Sequence, residues 1–245
     1  MFKTNMALAK VANSNVVEWD IRAANVSIME YYGLAPPSTI KRIKAQDKSQ
    51  REIIVGKLQG KVKGFAHALE DGFNRIVAEF IEANQLDYDT DIVSIKRDAV
   101  FVKDKPLKQS VFGPVEFVPK NAYQHVLLIP GYEFYINSTK TDVKGVNDES
   151  LSKHEDGMLD FIRNVVYTWH DTIRLYQYMK QYCDAYKKKE LDFNAYRRFD
   201  SESCFDVVMG EETMRMAEID ESDMDFLDIS FNYMQVIIPT LQMVI

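Results

Sequence analysis

Two apolar stretches, about eighty residues apart, each deliver an aspartate at a strand end, and this pairing constrains the fold more than any other feature of the chain. The first, Val16-Val17-Glu18-Trp19-Asp20, reads as a short strand. A helix follows from about Ala23 to Tyr32, stopped by Gly33 and Pro36-Pro37. The second, Ile92-Val93-Ser94-Ile95-Lys96-Arg97-Asp98-Ala99-Val100-Phe101-Val102, reads as a hairpin over 92–103 with Lys96-Arg97 at the turn and Asp98 opening the return strand. A carboxylate at the end of a buried strand is costly unless a metal ion or a dense set of hydrogen bonds holds it. Two of them on neighbouring strands are the minimum scaffold for divalent-metal phosphoryl transfer. Each also has a structural reading. Asp20 suits a helix N-cap, and Asp98 suits a salt bridge with Arg97, Lys96 or Arg22.

Between the two stretches, Ser38 reads as the N-cap of a basic helical segment running to Lys63, with breaks at Gly56, Gly60 and Gly64. From Lys41 to Lys63 there are eight basic residues (Lys41, Arg42, Lys44, Lys48, Arg51, Lys57, Lys61, Lys63) against Asp47 and Glu52. That run reads either as a phosphate-contacting surface or as a solvated helix face. Phe65, Leu69, Phe73, Ile76, Phe80 and Ile81 recur at helical spacing and predict an amphipathic helix over 65–84. The first fifteen residues are unpatterned and read as a mobile or edge segment.

Further on, strands are expected at Val115–Val118, His125–Ile129 and Tyr132–Ile136, with Pro130-Gly131 turning between the last two. Residues 137–148 read as loop. The stripe Met158, Ile162, Val165, Trp169, Ile173, Tyr176 and Cys183 predicts a long helix over about 149–187, bending near Asp171. Phe205–Met209 and Ile229–Ile238 look extended, separated by an acidic segment.

The fold expected from this order is α+β, a mainly antiparallel sheet with helices packed on one face, plus a long-helix C-terminal part. The division expected is 1–145, holding the basic insertion at 34–64, and 146–245, ending in an acidic tail. The net charge of −7 argues against a protein that coats DNA nonspecifically and leaves room for a local basic groove. No apolar run approaches the roughly 20 residues of a membrane span. No secretory signal is legible at the start, and Cys183 and Cys204 fit no metal or disulfide pattern, so a cytoplasmic setting with free thiols is expected. His67, His125, His154 and His170 show no metal spacing. Tyr88-Asp89-Thr90-Asp91 follows a helix end and reads as a solvated loop.

Asp20-Ile21-Arg22-Ala23-Ala24-Asn25-Val26-Ser27-Ile28 resembles motif A of family B DNA polymerases, in which an aspartate follows a strand and precedes a Ser-Leu-Tyr-Pro-Ser-Ile-like run. The hairpin resembles motif C, a Tyr-Gly-Asp-Thr-Asp-Ser-like string, with Asp98 on its second aspartate and Lys96 on its first. The tyrosine-proline of motif A is replaced here by Asn25-Val26, and the fingers motif is not legible. The resemblance implies a palm-like sheet over 1–145, a reduced fingers segment at 34–64 and a thumb-like part from 146. It implies that Asp20 and Asp98 are catalytic and hold Mg²⁺ or Mn²⁺. Lys44, Arg51 and Lys57 become candidates for the incoming nucleotide, and Lys41, Arg42, Lys61, Lys63 and Lys144 for nucleic acid, Lys144-Gly145 resembling the family's lysine-glycine element. A phage or mobile element is the expected source. Nucleic acid is the expected partner, with a second protein supplying missing polymerase elements if the palm is split between chains.

Three functions follow as expectations. One is a palm-type nucleotidyltransferase. The second is an inactive palm-like subunit for nucleic-acid binding or assembly, favoured by a lysine at position 96. The third is an RNase H-like nuclease, which needs an acidic partner for Asp20 on the following helix, where Glu30 is the candidate.

Overall fold

The computed structural model describes residues 2–8, 15–144, 146, 151–196, 206–209, 212–215 and 232–244. The chain divides into two compact units, one of Met1–Leu8 with Asn15–Ala122 and one built around Tyr123–Ile245. Its class is α+β, as the sequence implies.

In the first unit, β1 (Phe2–Thr4), β2 (Val16–Ile21), β3 (Ile92–Lys96), β4 (Ala99–Lys103), β5 (Val111–Phe112) and β6 (Val115–Tyr123) form one sheet in the order β1-β3-β4-β2-β6-β5. The N-terminal segment is thus an edge strand, antiparallel to β3. Strand β2 pairs antiparallel with β4 from Val16↔Lys103 to Asp20↔Ala99. The β3–β4 hairpin carries an irregularity between Ile92 and Ser94.

Alternation along the strands sorts the two faces. Trp19 and Ile21 of β2, Val100 and Val102 of β4, and Val115 and Phe117 of β6 pack into the helical core. The Phe80 ring stacks on Phe117 at 4.1 Å and meets Trp19 at 6.5 Å. By the same period, Glu18, Asp20 and Lys120 belong to the opposite face.

Four helices build that core: α1 (Ala24–Tyr31), α2 (Pro37–Lys44), α3 (Lys48–Lys61) and α4 (Phe65–Ala83). Pro37 starts α2, since a proline at the first helical position gives up only an N–H that has no partner there. The expected Ser38 cap is therefore not used. The basic segment breaks at 45–47, where the Asp47 carboxylate accepts the Gln50 N–H at 2.9 Å, and not at Gly56 or Gly60, which lie inside α3. Gly64, at φ +80°, does separate α3 from α4. The amphipathic stripe of α4 is buried as its spacing predicts.

In the second unit, β7 (His125–Ile129), β8 (Tyr132–Ile136) and β9 (Thr141–Lys144) form an antiparallel meander. The Pro130-Gly131 turn is as expected, with Gly131 at φ +89°. β9 lies in the stretch read as loop. Its one apolar residue, Val143, stands among polar ones, so alternation there is faint. The long C-terminal helix is two helices, α5 (Asp160–Thr168) and α6 (Thr172–Lys187), parted where a bend was expected. There the Asp171 carboxylate accepts the Arg174 N–H at 3.0 Å and restarts the ladder. Phe134, Ile136, Phe161, Ile162, Val165, Leu175 and Met179 share this unit's core.

Asp206–Met209 is extended as expected. Ile229–Ile238 is not: its described part, from Asn232, leads through a helical turn at Tyr233–Ile237 into α7 (Ile238–Val244). Ser230, Asn232 and Gln235 give the segment a near-alternating pattern that imitates a strand, and tertiary packing of Val236 and Ile237 overrides it. Cys183 is a buried free thiol. Cys204, Gly145 and most of the acidic tail lie outside the described residues. No helix among the described residues is long and apolar enough to cross a membrane.

Gly72 lets α4 lie close against α1 and its end. A Cβ there would stand 2.6 Å from Ile28 Cγ2 and 3.1 Å from the Tyr32 ring, whereas nothing lies within 4 Å of a Cβ at Gly56 or Gly60. Replacing Gly56 or Gly60 with Ala should therefore stabilise the protein by up to about 1 kcal/mol through helix propensity. Gly72→Leu should cost about 3 kcal/mol through overpacking. Urea unfolding midpoints check both, and equal effects at positions 60 and 72 would contradict the packing described.

Candidate functional site

The β2–β4 register brings the two aspartates together. Asp20 pairs with Ala99, and the next residue, Ile21, donates its N–H to the Asp98 carbonyl at 3.0 Å. The hairpin turn is Arg97-Asp98 and not Lys96-Arg97, so Asp98 stands on the turn itself. Arg97 takes the left-handed conformation, at φ 47°. Its guanidinium leaves the turn and covers the Phe73 ring at 4.4 Å, with Glu70 at 3.5 Å.

α1 starts at Ala24 behind a left-handed Ala23 (φ 49°), with no side-chain cap. Asp20 is therefore no N-cap. The cations offered as partners for Asp98 each have another contact, Arg22 with Glu116 at 2.8 Å, Arg97 with Glu70 at 3.5 Å, and Lys96 with Thr4 Oγ1 at 3.4 Å on the edge strand. Burial first, and the negative charge of Asp20 second, push the Asp98 carboxyl above its ordinary value, against the pull of Arg97 and Lys120.

Asp20 and Asp98 open onto a hollow of about 420 Å³, within the range of small-molecule sites. Its walls are the β2–α1 turn, the part of α3 bearing Lys48, Arg51, Glu52 and Val55, and Val118 and Lys120 of β6. Lys120 Nζ lies 2.9 Å from Asp20 Oδ2 and 3.8 Å from Glu18 Oε1. Glu18 is buried and accepts a hydrogen bond from Asn121 Nδ2 at 2.5 Å. The Asp20 carboxylate in turn holds the Lys120 ammonium above its ordinary value.

Of the basic run, Arg51 lines this hollow, together with Lys48. Lys57, Lys61 and Lys63 are exposed further along and beyond α3, and Arg42 is exposed on α2. Lys41 and Lys44 line a second, larger hollow of about 710 Å³ walled by Leu34, Ala35, Pro36, Pro37 and Ile40. Lys44 is there ion-paired with Glu30. That hollow holds no pair of converging carboxylates. The same ion pair takes Glu30 away from Asp20, which removes the acidic partner an RNase H-like site requires. Lys144 sits on β9 of the second unit, its Nζ 5.8 Å over the Tyr135 ring. The Asp87–Asp91 loop is solvated as expected, with Asp91 ion-paired to Lys105 at 2.5 Å.

Lys120 is absent from the sequence reading, while Lys48 enters it only as one of the basic run and Arg22 only as an ion-pair partner for Asp98. The i, i+3, i+7 spacing of Lys48, Arg51 and Val55 was the available signal for Lys48. The strand expected at 115–118 stops before Lys120 because Pro119 reads as a strand end. In the structure β6 continues through it to Tyr123.

Among the described residues no group of three or more His, Cys, Asp or Glu side chains is arranged to hold a metal ion. Two carboxylates suffice where a substrate's phosphates complete the shell, which is how Mg²⁺ is commonly held. The donors fit that case, since both are hard carboxylate oxygens on one hollow.

Because the fold binds the Asp98 proton more tightly than the unfolded chain does, stability falls as pH rises from the ordinary carboxylate value through the raised one. Asp98→Asn should therefore melt higher than wild type at about pH 7, and the gap should close towards about pH 4. Thermal melts across that range check it; a lower melting point for the variant at neutral pH would contradict the repulsion described.

No curated protein matches the chain. Residues 2–245 match the family described as Bacteriophage PBS1 gene 130 protein, and the chain belongs to that phage family.

Proposed function

We propose that this protein is the core of a palm-type nucleotidyltransferase acting on nucleic acid with Mg²⁺ or Mn²⁺. The observation that carries the reading is the meeting of Asp20 and Asp98, from two adjoining strands, on a hollow whose other walls carry Lys48, Arg51 and Lys120. Lys48 and Arg51 across from the two aspartates, with Glu52 beside them on α3, suit a triphosphate whose phosphates bridge the aspartates and these cations. The order of elements supports it as well: a strand with one aspartate, helices, then a hairpin with the other, the two aspartates on adjoining strands of a sheet whose far side packs against helices.

In this reading Asp20 and Asp98 hold the metal. A bound Mg²⁺ supplies acidity to an attacking 3′-hydroxyl and charge stabilisation at the transferred phosphoryl. Arg51 and Lys48 neutralise the phosphates from α3, and one helix face keeps their spacing fixed. Arg22, braced by Glu116, stands at the rim. The exposed cations Lys41, Arg42, Lys57, Lys61 and Lys63 offer a surface to a nucleic-acid backbone. The work is cytoplasmic, where a phage genome is copied, and where the palm is split between chains a second protein supplies the fingers motif.

One observation favours the inactive alternative, a palm-like nucleic-acid-binding subunit. Lys120 already neutralises Asp20. A primer-extension assay with Mg²⁺ or Mn²⁺ separates the two. Extension should fall about 100-fold or more in Asp20→Asn and in Asp98→Asn, and Arg51→Ala should raise the KM for nucleotide more than it lowers kcat. Metal-independent binding of nucleic acid, with no extension under any condition, would leave the inactive reading in its place.

A further inference from the structure

Lys120 is tied into the site in an unusual way. It reaches Asp20 at 2.9 Å, and a second carboxylate, Glu18, lies 3.8 Å from the same nitrogen. The two acceptors differ in kind. Glu18 is buried and fixed by Asn121, whereas Asp20 is about a quarter exposed and faces the hollow. Lys120 itself keeps half of its side chain in solvent. A long, flexible ammonium between a fixed and an accessible carboxylate has two resting places within reach.

We propose that Lys120 is a built-in counter-cation that competes with the divalent metal for Asp20, and that it turns to Glu18 or to the substrate's phosphates when the metal arrives. The inference rests on the proposed metal-dependent function. Without a metal, Lys120 offsets the charge that Asp20 and Asp98 present to each other. With a metal, the same ammonium stands beside a doubly charged cation, and repulsion from it opposes metal binding. Lys120 is thus a positioning residue. It weakens the site for a bare metal ion and favours a metal that brings phosphates with it, because the phosphates give the displaced ammonium a new partner.

Mn²⁺ binding to the full chain, followed by electron paramagnetic resonance and calorimetry, tests this. Lys120→Gln should bind Mn²⁺ alone about three- to tenfold more tightly than wild type, with the gap narrowing at high salt. Lys120→Arg, which keeps the charge and offers a fork to Asp20, should bind it no more tightly than wild type. Addition of inorganic tripolyphosphate should reduce or reverse the advantage of Lys120→Gln. If wild type binds Mn²⁺ and Lys120→Gln binds it equally or more weakly, the competition is refuted while the metal-dependent reading stands. So it is if Lys120→Arg matches a tighter Lys120→Gln. If none of the three proteins binds Mn²⁺, with or without tripolyphosphate, the metal-dependent reading falls and takes this inference with it.

Discussion

The pairing of β2 with β4 is the constraint on which the rest of the site depends. Strand register is a two-state choice, because a slip of one residue sends every side chain to the other face. Here the register is held by what it buries. Trp19 and Ile21 must meet the helices, with Val100 and Val102 beside them. Once they do, Glu18 and Asp20 are forced to the opposite face, and Asp20 is carried to the end of the hairpin where Asp98 turns. The meeting of two carboxylates is electrostatically unfavourable. The apolar contacts on the other side of the same strands impose it.

That division explains why the cost is tolerated. Separate parts of one strand do separate tasks: apolar positions secure the sheet, and polar positions present charge. The strain is local. It shows in a raised Asp98 carboxyl, a left-handed Ala23 at the strand-to-helix turn, and a left-handed Arg97 on the hairpin. Backbone in that region is disfavoured for residues with a side chain, and such positions gather where surrounding structure over-determines them. Around Ala23 the surroundings are visible: Ser27 Oγ donates to the Arg22 carbonyl at 2.9 Å, and the Arg22 N–H donates to the Glu116 carbonyl at 2.9 Å.

Much of this was legible in the chain. The strand at 16–20 and the hairpin at 92–103 are short apolar runs bounded by polar residues, the stripe of α4 repeats at helical spacing, and each sits where expected. What escaped has physical causes. A two-residue turn at Arg97-Asp98 carries neither asparagine nor glycine, the usual marks, so the sequence points to a turn one residue early. Lys120 was hidden behind Pro119. The basic run looked uniform because counting charges ignores direction, and only the helical phase distinguishes Arg51 and Lys48, which face the aspartates, from Lys57, which does not. Lys44 was lost to a partner, Glu30, on a different helix. The split of the C-terminal helix was anticipated at Asp171, whereas β9 carried too little alternation to be seen.

The helix α3 has a mechanical consequence of its own. It spans 14 residues, about 21 Å, and is bounded by a capped turn at Asp47 and by Gly64 in the left-handed conformation, whose Cβ position is open. A rod hung between two short joints transmits displacement without bending. Lys48 and Arg51 are fixed to that rod one turn apart and so share every excursion it makes. Any swing that brings one cation nearer to the aspartates brings the other with it, and the site gains or loses two charges in a single stroke.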